Sequence, residues 1–200
     1  MVRALTLAVV REDPSGGTFG GTDTCVGAAY GLLLKEIGDP VLRGNVFARN
    51  TVGLMADGAT RLVVEDNVLA DNGWGVRLLA NVQEARLARN DFTGNTFDVA
   101  TNGRAGDGAE FVGNYFAEYR GYDLDRDGRG DVPHRPVRLF SLLVERWDAV
   151  LVLQHSAFVG LLDAAERVLP ALTPAHMADA RPSMRPVAAG GTALAARGTR

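Results

Sequence analysis

The chain has 200 residues, 46% of them apolar, with 24 glycines, one cysteine and a formal charge of −3. That length and apolar content allow one elongated domain with an appendage, and a near-neutral chain without a basic block argues against nucleic acid as a partner. A single cysteine excludes an internal disulfide framework, and no stretch reaches the roughly 18 unbroken apolar residues that a membrane span requires.

Met1 to Val10 carries one arginine and a short apolar run. It is too short for a signal peptide and lacks a small-residue cleavage site, so it reads as a strand. A Gly-rich loop, Ser15 to Gly21, follows. An irregular rung then runs from about Asp23 to Gly44, because stepping back 22 residues from Asn45, Gly53 and Leu54 lands on Asp23, Gly31 and Leu32. The same step from Phe47 lands on Cys25. This puts the thiol in an inward stack with Phe47, Leu69, Phe92 and Phe116. No second Cys or His shares its corner, so Cys25 reads as a small buried hydrophobe and not as a soft-metal ligand.

From Asn45 onward one phrase returns four times: Asn45-Val46-Phe47, Asn67-Val68-Leu69, Asn90-Asp91-Phe92 and Asn114-Tyr115-Phe116. The lead asparagines are 22, 23 and 24 residues apart. Asn50, Asn72 and Asn95 follow five places later. Leu42, Val64, Leu87 and Phe111 sit three places before the lead asparagine, and Leu54, Val76 and Val99 nine places after it. A period of this size means one supersecondary unit stacked on copies of itself. A leucine-rich repeat would show Leu-x-x-Leu-x-Leu before its asparagine, and no unit does. Short apolar-polar alternations between Asn, Asp and Gly turns read as short strands. With each unit one rung, alternate residues point inward and stack, and asparagines at a fixed corner can bond along the stack as a ladder. The fold class is an all-β solenoid, a parallel β-helix over residues 1–119, regular from about residue 40. It should end between Phe111 and Tyr119, because Asp98 replaces the glycine of Gly31, Gly53 and Gly75, and Thr101 to Gly108 lengthens the last full rung.

Residues 120–136 form an Asp-rich loop. Asp123, Asp125, Asp127 and Asp131 alternate around Gly128 as in the first half of a calcium loop, where oxygens converge on a hard cation. The position of the closing glutamate is His134, and Arg126 and Arg129 supply compensating charge. Two readings stand: a calcium site, or an Asp-rich turn paired with its own arginines. Residues 137–174, framed by Pro136, Pro170 and Pro174, carry apolar residues at helical spacings and read as one or two helices. Glu145, Arg146 and Asp148 keep them from crossing a bilayer. They are more apolar than a cap over the last rung needs. The tail, 175–200, reads as extended or disordered.

The Asn-rich rungs, the run from Asn114-Tyr115-Phe116 through Gly121 to Gly128, Asp131-Val132-Pro133, Leu139 to Arg146, Glu166 to Pro170 and Thr173-Pro174 come in sequence. Over about residues 40–186 the chain resembles the carboxy-terminal half of the NosD family, the periplasmic component of the nitrous oxide reductase maturation system. The resemblance implies a right-handed β-helix without catalysis of its own, standing on an ABC transporter of permease and ATPase. It further implies a copper chaperone and nitrous oxide reductase as partners, in assembly of copper-sulfur centres. The apolar segment then becomes the element that docks on the permease, through Phe140, Leu142, Leu143, Trp147, Leu151, Phe158, Leu161 and Leu162. NosD chains are about twice as long and begin with a signal peptide, so the expectation is a truncated gene product or one piece of a split reading frame.

The competing class is a carbohydrate-active or carbohydrate-binding β-helix, which as an enzyme needs acid and base groups on one outer face. Asp131-Val132-Pro133-His134 resembles the Asp-Pro-His motif of alginate epimerases, but a valine intervenes and the motif follows the last rung. Outward positions Arg43, Glu65, Ala88 and Val112 build no carboxylate cluster. For copper, Cys25, His134, His155, His176, Met177 and Met184 are the soft or borderline donors. Only His176 and Met177 are adjacent, and no copper site is assigned.

Overall fold

The computed structural model describes residues 8–11, 18–20, 24–79, 81–102, 108–153, 156, 161, 162, 165 and 177–188. Fifteen short strands build three five-stranded parallel sheets. The first sheet stacks β1 (Ala8–Arg11), β4 (Tyr30–Lys35), β7 (Val52–Asp57), β10 (Trp74–Leu78) and β13 (Phe97–Thr101). The second stacks β2 (Thr18–Gly20), β5 (Val41–Arg43), β8 (Val63–Glu65), β11 (Ala85–Ala88) and β14 (Ala109–Val112). The third stacks β3 (Thr24–Val26), β6 (Val46–Ala48), β9 (Val68–Ala70), β12 (Asp91–Thr93) and β15 (Tyr115–Phe116). The chain visits the three sheets in turn, which makes each repeat one rung of a parallel β-helix.

The pairing register follows the repeat arithmetic. Cys25 pairs with Phe47, Phe47 with Leu69, Leu69 with Phe92 and Phe92 with Phe116. All five are buried and belong to one interior core with Leu42, Val64, Leu87, Leu54, Val76 and Val99. The Phe92 and Phe116 rings stack 5.0 Å apart.

Two asparagine ladders run along the inside corners that flank the third sheet. In the first, the backbone N–H and side-chain amide of Asn45 both donate to Asn67 Oδ1, those of Asn67 to Asn90, and those of Asn90 to Asn114, all at 2.9–3.1 Å. The Nδ2 groups of Asn67, Asn90 and Asn114 also reach back to a carbonyl of the preceding rung, those of Leu42, Val64 and Leu87. The second ladder runs Asn50, Asn72, Asn95 in the same way. These buried amides are therefore satisfied, which removes the desolvation cost of placing them inside.

The glycine column has a steric cause. A Cβ on Gly31 would lie 2.5 Å from the Gly53 carbonyl oxygen, one on Gly53 2.7 Å from that of Gly75, and one on Gly75 2.7 Å from that of Asp98. Asp98 comes at the end of the column, where, among the described residues, Val137 continues the sheet as a single bridge to Val99. There its carboxyl accepts a hydrogen bond from Asn95 Nδ2 at 3.1 Å and ends the second ladder.

Outside the second sheet, charge runs from rung to rung. Arg43 meets Glu65 at 3.1 Å, Arg86 lies between Glu65 and Glu110, and Arg89 meets Asp66 at 2.8 Å.

Past β15 an incomplete further rung is assembled from two remote pieces of chain. Val137 bridges Val99, Asp179 bridges Phe111 and Ser183 bridges Tyr115, all in parallel. Asp179 takes the next place in the first asparagine ladder: its Oδ2 accepts from Asn114 N at 2.8 Å and Asn114 Nδ2 at 3.0 Å. His134 takes the next place in the ring stack, 4.4 Å from Phe116 between centroids. Val137 and Met177, each 1% exposed, close the core. Part of the tail expected to be extended or disordered thus supplies a rung.

Candidate functional site

The tip of the rod carries three things: this closing rung, the Asp-rich loop and the helical segment. The two pieces of the closing rung are clasped. His134 N donates to Asp179 O at 2.9 Å and Asp179 N to His134 O at 2.8 Å, an antiparallel bridge. In sequence, residues 139–176 lie between the two sides of that clasp. Burial, reinforced by nearby Arg138, lowers the His134 pKa to about 4, so its imidazole is neutral against Phe116.

The loop folds around its own carboxylates. Asp123 accepts from the Asp127 and Gly128 N–H groups, and Asp131 from Leu124 N at 2.7 Å. Desolvation pushes the Asp123 carboxyl up, but hydrogen bonds from the Gly128, Arg126 and Asp127 N–H groups and the one with Asp125 together outweigh it and hold the group below its ordinary range. Asp123, Asp125 and Asp131 each bring an oxygen within 4.8 Å of the others, a spacing that suits one hard cation. Asp127 is not part of this group. Its Oδ2 accepts from Arg181 Nη2 at 2.5 Å and its Oδ1 from Arg129 N at 2.8 Å. The loop is further tied to the closing piece by Gly130 N donating to Pro182 O and Met184 N to Gly128 O. Three of the four expected aspartates converge, and the fourth anchors the loop.

The helical segment begins with α1 (Leu139–Arg146), followed by a 3-10 turn over Asp148–Leu153. The residues expected to dock divide into two groups. Phe140 is 2% exposed and packs with Val144 on Phe97, against which Trp74, Val150 and Leu162 also lie. Leu142 packs on the interior core. Phe140 is covered in this way and fastens α1 to the rod, because Phe97 on β13 offers apolar surface that the helix covers, while Leu142 and Leu162 are partly buried. Leu143 is half-buried. Trp147 and Leu161 are exposed, at 54% and 66%, alongside Val152 and Leu153. Leu151 falls in the 3-10 turn, and Phe158 lies outside the described residues.

Among the described residues the candidate copper donors do not gather. Cys25 and Met177 are buried in the core and His134 is stacked on Phe116. His155 and His176 lie outside the described residues. Among the described residues the group of His, Cys and acidic side chains that converges is Asp123, Asp125 and Asp131, all hard oxygen donors unsuited to cuprous ion. These residues do not fit copper. The epimerase-like phrase fails on the same geometry, since the His134 imidazole lies on Phe116 and not on a sheet face.

Two residues important to this tip were missing from the sequence reading. Asp179 stands 65 residues from its ladder partner Asn114, so no repeat spacing points to it. Asp91 is buried although it occupies the register filled by Val46, Val68 and Tyr115 elsewhere. That lone acid in an otherwise uncharged column was a visible signal.

A family model described as periplasmic copper-binding protein (NosD) matches residues 16–121. A probable ABC transporter binding protein NosD of Pseudomonas aeruginosa is 31% identical over 176 residues, 80% of this chain and 41% of the relative. The protein of the same description from Stutzerimonas stutzeri is 28% identical over 176 residues, 78% of this chain and 40% of the relative. The chain thus spans about two fifths of the length of the curated relatives it matches.

Proposed function

The chain belongs to the NosD family, and we propose that it acts as a periplasmic accessory protein of an ABC transporter, binding partners without catalysis of its own. In this reading the permease and its ATPase form the base, and the tip of the rod docks on the permease. A copper chaperone and nitrous oxide reductase meet the protein in assembly of copper-sulfur centres, with copper as cargo. The name of the relatives, ABC transporter binding protein, supports the first part. The observation that carries the docking site is the helical segment, clasped at its base by His134 and Asp179, with Trp147 and Leu161 left in solvent. An exposed tryptophan is the kind of side chain that binding hot spots concentrate, and exposed apolar side chains beside it extend the surface it offers. No helix among the described residues is long and apolar enough to cross a membrane. We further propose that Asp123, Asp125 and Asp131 hold calcium, which would stiffen the loop that grips the closing rung.

The test is excision of residues 139–176, joining Arg138 to Met177 by a short Gly-Ser linker so that the clasp is kept. The excised rod should melt as a folded protein and lose co-purification with the permease. Trp147→Ala with Leu161→Ala in the full chain should weaken binding by about tenfold or more. Permease binding by the folded, excised rod would move docking elsewhere.

A further inference from the structure

Beyond Ser183 the chain turns back along the outside of the third sheet, across its strands. Val187 N donates to Asp91 Oδ1 at 2.7 Å and Ala188 N to Asp91 Oδ2 at 3.2 Å, so one carboxylate receives two successive backbone amides. Ala188 is 2% exposed, in a cluster with Ala48, Val68 and Ala70, against which Val26 and Val46 also pack. The path is ordered along the rod. Ser183 lies over β15, Val187 and Ala188 are held by Asp91 of β12, and Ala188 packs on residues of β9 and β6. The other two outer faces differ. The second sheet shows its arginine-glutamate ladder, and the first carries Arg77 over Trp74 and α1. The outside of the third sheet is a shallow channel of small apolar residues with a single buried acid.

We propose that this channel is a docking surface for the chain's own carboxy-terminal segment, which continues past Ala188 over Val46 and Val26 and straps the last rung to the first. Two observations choose this occupant. The contact at Asp91 and Ala188 already exists, and the next apolar residues in the same direction are Val46 and Val26. Neighbouring rungs lie about 4.8 Å apart, so two or three residues at about 3.3 Å each carry the chain from Ala188 to β3. The next residues are Ala189, Gly190, Gly191 and Thr192, small enough for backbone to lie flat on the sheet, with Leu194 the first large side chain beyond.

Thiol labelling tests it in the full chain. In a Cys25→Ala background, Val46→Cys should react slowly with a maleimide, and at least tenfold faster once residues 189–200 are deleted. Val41→Cys, on the outside of the second sheet, should react at one rate in both. Val26→Cys serves as the second reporter where Val46→Cys lowers the melting temperature. Equal rates for the Val46→Cys or Val26→Cys reporter with and without residues 189–200, in proteins that melt alike, would overturn the proposal. So would acceleration at Val41→Cys of the same size, since that marks general loosening.

Discussion

Asp98 and His134 show how single residues at the end of a stack set its response to pH. Burial raises the Asp98 carboxyl to about 6, against the hydrogen bond from Asn95 and the charge of Arg138 and with that of Glu118. Between its ordinary 3.8 and about 6 the folded protein binds the extra proton, so stability falls as pH rises through that window and the cost is complete above it. His134 works in the opposite sense. Its folded pKa of about 4 lies below its ordinary 6.5, the unfolded chain binds the extra proton between them, and stability rises with pH across that range. The two slopes oppose each other over most of the same interval. Asp98→Asn keeps an acceptor for Asn95 and removes the carboxyl. We expect it to stabilise the protein at pH 7 by roughly 1 kcal/mol, or about 2–4 °C in melting temperature. At pH 4 it should change little, and the variant should reveal a steeper loss on acidification below 6.5, due to His134. Melting scans across pH decide it, and an unchanged midpoint at pH 7 would show that Asp98 carries no cost.

Among elements, the asparagine ladder was the most legible and the closing rung the least. The ladder repeats, and so do the inward columns, because every rung meets the same neighbours; a fixed spacing in sequence then becomes a fixed contact in space. Asn90 illustrates the energetics. It accepts from Asn67 N and Nδ2 and donates to the Val64 carbonyl and Asn114 Oδ1, at 2.8–3.0 Å. Asn90→Ala strands those buried groups at about 1–3 kcal/mol each. Even one such loss predicts a fall of several degrees in melting temperature, whereas Asn81→Ala on the exposed corner should cost almost nothing. The Asp-rich loop was half legible. Alternating aspartates named the loop, but the sequence could not say that Arg181, 54 residues beyond Asp127, would bond Asp127 and also lie 3.7 Å from Asp125. Isothermal titration with calcium should give binding that is lost in Asp125→Asn and retained in Asp127→Asn. Absence of heat and of a rise in melting temperature at millimolar calcium would leave the loop a turn.

At the scale of the whole molecule, the rod and its helical appendage were readable from the repeat and from the change in composition after Val137. How the appendage is mounted was not. The pairing of Val137 with Val99, and of Asp179 with Phe111, joins pieces without a common period. Phe140 looked like docking surface because an apolar helix face reads the same whether a partner or the protein's own sheet covers it. This mounting separates two deletions. Cutting the chain after Arg138 removes Met177, Asp179 and Ser183 along with the helices, opens the core under Phe116, and should lower the melting temperature or cause aggregation. Excising 139–176 removes Phe140, Val144 and Leu142 but keeps that rung, and should lower it less. Melting curves of the two, measured side by side, distinguish a rod that needs its closing rung from one that does not.

The closing rung also fixes an order of events in time. Its two halves lie on either side of the helical segment, so a chain emerging from its amino terminus can stack successive rungs on local contacts and still leave β13 to β15 with an unfinished edge. That edge is sealed when Asp179 and Ser183 arrive. A newly made molecule therefore carries an adhesive end for as long as synthesis or export of its last residues takes, and any protein that shields that end meanwhile acts as a timer on its assembly.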